Sequence, residues 1–249
     1  MFFSILLIIF IFILFRKQTI DNINEEPKKE LLFCLAWLLF YIVLSMVSCA
    51  IHINLINEAA NWLFLVLFPL FITGWLKKEN LVTTLKKTGL IRFNKKTLLK
   101  TLIVCILYQG TIILIFSLGG GAPDLFKNIL SKFPKLFCIM IFTAAFTEEF
   151  FFRGILQRTM VRSLKRPYIA ILLTSILFGL YHYPFAFYLW DETAGSIANS
   201  LKTILTDQAV SGFALGLIYY KSNESLWSCI ILHAFINAAI MSLGTALSV

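Results

Sequence analysis

Inside an otherwise apolar stretch the chain reads Thr147-Glu148-Glu149-Phe150-Phe151-Phe152-Arg153, which puts three ionisable groups within six positions. Glu149 and Arg153 stand four apart, the helical spacing that permits an ion pair. Glu148 is turned away from that line by about 100° and does not share the partner. A structural ion pair therefore accounts for Glu149 with Arg153 and leaves Glu148 unexplained. Two further apolar stretches hold Phe178-Gly179-Leu180-Tyr181-His182 and His233-Ala234-Phe235-Ile236-Asn237, the latter with its imidazole and amide on one helical face. Of the three histidines in the chain, only His52 lies apart from this set.

Hydrolysis at a carbonyl needs an activated water, a donor for the developing oxyanion and a proton for the leaving group. Glu148 is the candidate general base, and His182 can hold the water with it. His233 and Asn237 can present N–H groups toward one point. Glu149 with Arg153 would keep Glu148 oriented. The rival reading is a metal centre, with Glu148, His182 and His233 as three ligands to zinc and an open fourth position. HExxH is absent and Asn is a poor zinc ligand, so no cofactor is assigned and zinc stays the alternative. No Ser or Cys stands at matching spacing beside both histidines. The five cysteines (Cys34, Cys49, Cys105, Cys138 and Cys229) lie singly in apolar runs without CxxC pairing and read as packing residues.

What must position these groups is a set of membrane helices. Of 249 residues, 59% are hydrophobic and 14% charged, far from the quarter charged of a soluble domain, and the mean hydropathy is +0.84. Apolar runs near 1–15, 31–54, 59–76, 101–119, 136–157, 168–190, 207–220 and 226–247 predict an all-α polytopic bundle of about eight spans, the first and seventh short. The first run lacks a basic leader and a small-residue cleavage site and reads as a retained anchor. The net charge of +9 is carried in short blocks between apolar runs, which marks topology rather than nucleic-acid binding. Most of the 22 basic residues fall after the odd-numbered spans: Arg16, Lys17, Lys28 and Lys29; eight between Lys77 and Lys100; Arg158, Arg162, Lys165 and Arg166; and Lys221. Positive-inside bias puts those loops in the cytoplasm and both termini outside. Segment 79–98 interleaves Leu, Val, Ile and Phe with lysines and fits either an interfacial amphipathic helix or a solvated basic connector. Gly119-Gly120-Gly121-Ala122-Pro123 breaks the chain between the fourth and fifth spans.

E-E-x-x-x-R, then F-x-x-x-H, then H-x-x-x-N, in that order on separate apolar helices, resemble the CAAX-protease and bacteriocin-processing (CPBP, or Abi) family of intramembrane endopeptidases. The resemblance spans about 130–245 and matches all three motifs. It implies an eight-helix bundle whose polar cavity opens to the cytoplasmic side, and a water activated by Glu148 with His182, His233 and Asn237. Glu149, Arg153 and the motif residue Phe178 would support that group. On this reading 1–249 form a single membrane domain, with N-terminal spans and a basic cytoplasmic loop over 1–135 and the catalytic core over 136–247. The substrate would be a membrane-associated peptide or protein, the partner surface the lipid bilayer, and the roles bacteriocin or signal-peptide maturation or self-immunity. Compactness and an Ile-, Phe- and Lys-rich composition suit a bacterial plasma membrane. Two other classes remain open from the residues: a non-enzymatic immunity or scaffold protein, and a proton-coupled transporter using Glu148 and His182 as a relay. No inverted repeat supports the transporter.

Overall fold

A computed structural model describes residues 2–15, 27–53, 55–118 and 123–247, all helix and connecting turns with no strand among them. In chain order the helices are α1 (Phe2–Leu14), α2 (Lys28–Ala50), α3 (Glu58–Lys77), α4 (Leu81–Thr88), α5 (Lys95–Leu118), a continuous rod α6 over 123–164, α7 (Pro167–Tyr181), α8 (Tyr183–Tyr188), a second continuous rod α9 over 197–221, and α10 (Leu226–Leu247). Among the described residues six helical stretches are long and apolar enough to cross a bilayer: α2, α3, α5, Ile129–Leu164 of α6, α7 with α8, and Leu226–Leu243 of α10. α1 is apolar but shorter, and the last α-helical stretch of α9 covers Ala209–Lys221, after Ile197–Thr203 and a π-helical stretch that extend the rod beyond the expected 207–220. The chain is an all-α, multi-pass membrane bundle.

Local chemistry sets the helix ends. Asn80 caps α4 by accepting from the Thr83 N–H at 2.9 Å. Left-handed Lys78 and Lys165 close α3 and α6. Pro167 opens α7, where its missing N–H costs nothing. The sixth apolar run, expected as one span over 168–190, is broken at His182, because Pro184 two residues on cannot donate to the ladder. The fifth is longer than the expected 136–157: the rod begins at Pro123, carries Pro134 within it, and runs on through Arg158–Leu164. Residues Gly119 to Ala122 of the glycine-rich break, and Arg16 and Lys17, lie outside the described residues.

The core lies where α6, α7, α9 and α10 meet, with Phe150, Phe151, Phe152, Leu217, Ile230 and Leu232 wholly buried. Two glycines one turn apart let α9 come close. A Cβ at Gly212 would sit 3.0 Å from the Phe178 ring, and one at Gly216 only 2.7 Å from Gln157 Oε1 and 2.9 Å from Ile171 Cγ2. This is the small-xxx-small spacing of close membrane helix pairs.

The loops after the third, fifth and seventh spans meet at one end of the bundle. Glu224 pairs with both Arg92 and Arg162 at 3.1 Å, Glu30 pairs with Lys77 at 2.8 Å, and Tyr219 Oη donates to Thr88 O at 3.0 Å. The Leu226 N–H donates to Gly89 O, and Trp227 Nε1 donates to Leu90 O at 2.9 Å. The first loop's described edge reaches the same end: buried Lys221 donates from Nζ to Phe15 O at 3.2 Å. Gly89 holds this junction at φ +88°, and a Cβ there would fall 1.9 Å from Glu224 O. Gly89→Ala is therefore expected to cost about 3 kcal/mol through left-handed strain and backbone collision. A melting curve of the purified variant in detergent checks this, and an unchanged midpoint would contradict it.

Candidate active site

In α6 the single α-turn Phe146–Glu149 is flanked by two π-helical stretches, Ile141–Ala145 and Phe150–Gln157. Such widened turns shift the angular position of the residues between them and are frequent at functional sites. Here they present Glu148 and Glu149 to two different neighbours. Glu149 is wholly buried, and its Oε1 accepts from Arg153 Nη1 at 2.9 Å and from His233 Nδ1 at 2.8 Å. Arg153 Nη2 donates onward to Gly212 O at 3.0 Å, and one turn later Gln157 Nε2 donates to Gly216 O at 3.0 Å. The glutamate that the spacing pairs with Arg153 thus also holds a histidine of α10, and the arginine ties α6 to the bare backbone of α9.

Glu148 faces the other way. Its Oε2 is buried, lacks a hydrogen-bond partner among the described residues, and stands 3.9 Å from both His182 Nε2 and His233 Nε2. Those gaps are too long for direct hydrogen bonds and suit a bridging water. The far nitrogens define the tautomers. His182 Nδ1 lies 2.8 Å from Phe178 O, and His233 Nδ1 lies on the Glu149 carboxylate, so both Nδ1 atoms donate and both Nε2 atoms turn toward Glu148. His182 owes this to the helix break, since it ends α7 and bonds back to the carbonyl four residues earlier. Phe178 packs between the charged groups. Its ring lies edge-on to His182 and His233, with centroids 4.8 and 6.0 Å away, and the Arg153 guanidinium sits 4.5 Å from its centre.

Asn237, one turn beyond His233, lines with it a cavity of about 250 Å³ between α1, α5, α9 and α10. Ser4, Tyr108, Asp207 and Ser211 also line it, while Glu148 and His182 do not. The cavity extends from His233 toward Leu243 and the start of α1, away from the basic loops. The polar group therefore splits in two: Glu148, His182 and His233 share one point, and Asn237 stands one helical turn past His233 on the cavity wall. Asp207, Gln157 and the Gly212/Gly216 pair were not among the expected site residues. The G-x-x-x-G spacing and a lone acid at the head of the seventh apolar run were the available signals. Cys229 donates weakly to Leu215 O and is buried packing, not a partner of His233.

The fit of the zinc alternative can be tested on these distances. Tetrahedral donors about 2.0–2.1 Å from zinc lie roughly 3.4 Å apart, closer than the 3.9 Å found for Glu148 with either ring. Among the described residues no three His, Cys, Asp or Glu side chains are arranged to hold a metal ion. The residues as placed do not fit zinc.

Fold and site together define a class: a multi-pass helical membrane protein with a carboxylate set inside the bilayer between two oriented imidazoles. Residues 130–239 match the family model described as Type II CAAX prenyl endopeptidase Rce1-like; that segment contains all three motifs and agrees with the resemblance read from them. No curated protein and no solved structure matches the chain. The family supports a CAAX-type intramembrane protease in general.

Proposed function

We propose that the protein is an intramembrane endopeptidase that hydrolyses peptide bonds of membrane-associated peptides or proteins with a water activated by Glu148. The observation that carries this is the buried, unpartnered Glu148 Oε2 lying 3.9 Å from two Nε2 atoms. Three acceptors then converge on one point, because each imidazole spends its neutral N–H on Nδ1. A single water supplies two O–H groups to them, which makes the point a water site by hydrogen-bond inventory. In the reaction the water oxygen bonds to the substrate carbonyl carbon while its proton passes to Glu148. His182 holds the water in line. The carbonyl oxygen, now an oxyanion, is met by the Asn237 amide N–H, while His233 Nε2 helps His182 hold the attacking water. As the C–N bond breaks, Glu148 hands its proton to the leaving amine. Glu149, Arg153 and Phe178 are positioning residues. No step passes through a metal, so strong chelators are expected to leave cleavage unchanged, measured on protein prepared without added metal; loss on chelation and recovery with zinc would argue for the metal reading.

In cellular terms we place the protein in a bacterial plasma membrane, basic loops in the cytoplasm, acting in bacteriocin or signal-peptide maturation or in self-immunity. Comparing membrane peptides from cells carrying the wild type and Glu148→Ala tests this reading. A peptide processed only with the wild type supports it. A Glu148→Ala chain that processes normally overturns the mechanism, and one that restores the whole phenotype without processing favours a non-enzymatic immunity protein.

A further inference from the structure

The hairpin between α3 and α5 divides its cations into two sets. One set is neutralised within the fold: Lys77 on Glu30, Lys87 on Glu79, and Arg92 on Glu224. The other set, Lys78, Lys86, Lys95 and Lys96, is exposed, and none of the four has a carboxylate partner among the described residues. These four are interleaved with Leu81, Val82, Ile91 and Phe93, each more than half exposed. Lys95 and Lys96 stand in the first turn of α5, where the helix dipole repels cations, and no acid stands there to offset them. The two flanking helices are membrane spans, so the segment lies where the bilayer core gives way to headgroups. Exposed apolar side chains alternating with unpaired lysines at that depth match an anionic lipid surface: chains insert between headgroups while ammonium groups meet phosphates. Water alone would leave the apolar members unburied, and a purely apolar environment would strand the lysines.

The hairpin is also held firmly to the rest of the molecule. Leu90 O accepts from Trp227 Nε1, Arg92 O accepts from Ser225 Oγ at 2.9 Å, and Gly89 O accepts from the Leu226 N–H. All three partners belong to the turn that starts α10, two turns before His233. We infer that segment 78–96 is a binding surface for anionic phospholipid headgroups, and that headgroup occupancy stabilises the fold through its junction with α10. The inference stands whether or not the protein is a protease.

The test uses the purified full chain in detergent, titrated with phosphatidylglycerol or phosphatidylcholine, with melting midpoint and retained lipid by native mass spectrometry as readouts. Wild type is expected to retain phosphatidylglycerol selectively and to melt higher with it, as ligand binding to the folded state requires. A Lys78→Gln/Lys86→Gln/Lys95→Gln/Lys96→Gln variant should lose about fivefold in apparent affinity per lysine, roughly 600-fold in all at low salt. The charge-matched control Lys127→Gln/Lys132→Gln/Lys135→Gln/Lys202→Gln, at the other end of the bundle, should keep the wild-type preference. Equal losses in both variants, or none in the first, would overturn the inference. Inorganic phosphate reproducing the lipid effect at equal concentration would also overturn it, as would stabilisation by an acidic soluble protein but not by lipid.

Discussion

Glu148→Gln is expected to lower turnover by about 10²–10⁴-fold, the range a positioned general base supplies, while leaving the melting midpoint at or slightly above wild type. The two halves of that result come from one observation. Glu148 Oε2 makes no hydrogen bond within the described protein, so the substitution breaks no structural bond. The amide that replaces it keeps the shape and can donate toward an imidazole lone pair. What it cannot do is take a proton from water. The loss should therefore fall on kcat with KM little changed, because the carboxylate is needed at the barrier rather than for holding substrate. A merely structural Glu148 would give the reverse pattern, with a lowered midpoint and near-normal turnover in the surviving protein. Activity within about fivefold of wild type would remove Glu148 from the mechanism.

Arg153→Met is expected to have the largest effect on stability, a loss of about 3–5 kcal/mol, because it leaves the buried Glu149 charge with only a histidine for company. It also takes away the donor to Gly212 O, and with it a polar tie between α6 and α9 that Gln157 makes again one turn later. Arg153→Lys should rescue little. One ammonium cannot reproduce the planar fork that reaches the Glu149 carboxylate and the Gly212 carbonyl together. The double variant Glu149→Leu/Arg153→Met should recover a large part of the loss, since the stranded charge goes with its partner. Unfolding by sodium dodecyl sulfate titration measures all three. If Arg153→Met unfolds with the wild-type midpoint, the buried pair is not what holds the site, and the positioning role given to it fails.

Much of this architecture is written in the sequence as apolar length. The third run, expected at 59–76, is helical over Glu58–Lys77, and the second and eighth lie within a few residues of their helices. Bilayer thickness sets such lengths directly, so they survive translation into structure. The Glu149–Arg153 pair was likewise legible, being a matter of spacing on one helix. Less legible was the part of the site that depends on two helices at once. That His233 donates to Glu149 rather than facing only Glu148 follows from how α10 rotates against α6, and no periodicity within either segment encodes that rotation. The π-helical stretches beside Glu148 have the same status: they arise from packing, and nothing in Ile141–Ala145 announces them. The break at His182 did have a signal in Pro184, outweighed by the length of the apolar run around it.

Lys221 ends α9 and yet reaches the last carbonyl beyond α1, while Ser211 of α9 meets Ser4 of α1 at 3.1 Å. The opening helix of the chain is thereby stitched at both its ends to a rod more than 200 positions downstream. Expression of the motif-bearing portion by itself, residues 130–239, would leave off α1 together with α2 to α5: the chamber beside His233 would lose its Ser4 and Tyr108 walls and lie open to acyl chains, and the ammonium of Lys221 would lose the Phe15 carbonyl. A minimal fragment of this chain must carry α1 and α5 along, or replace them with an equivalent plug.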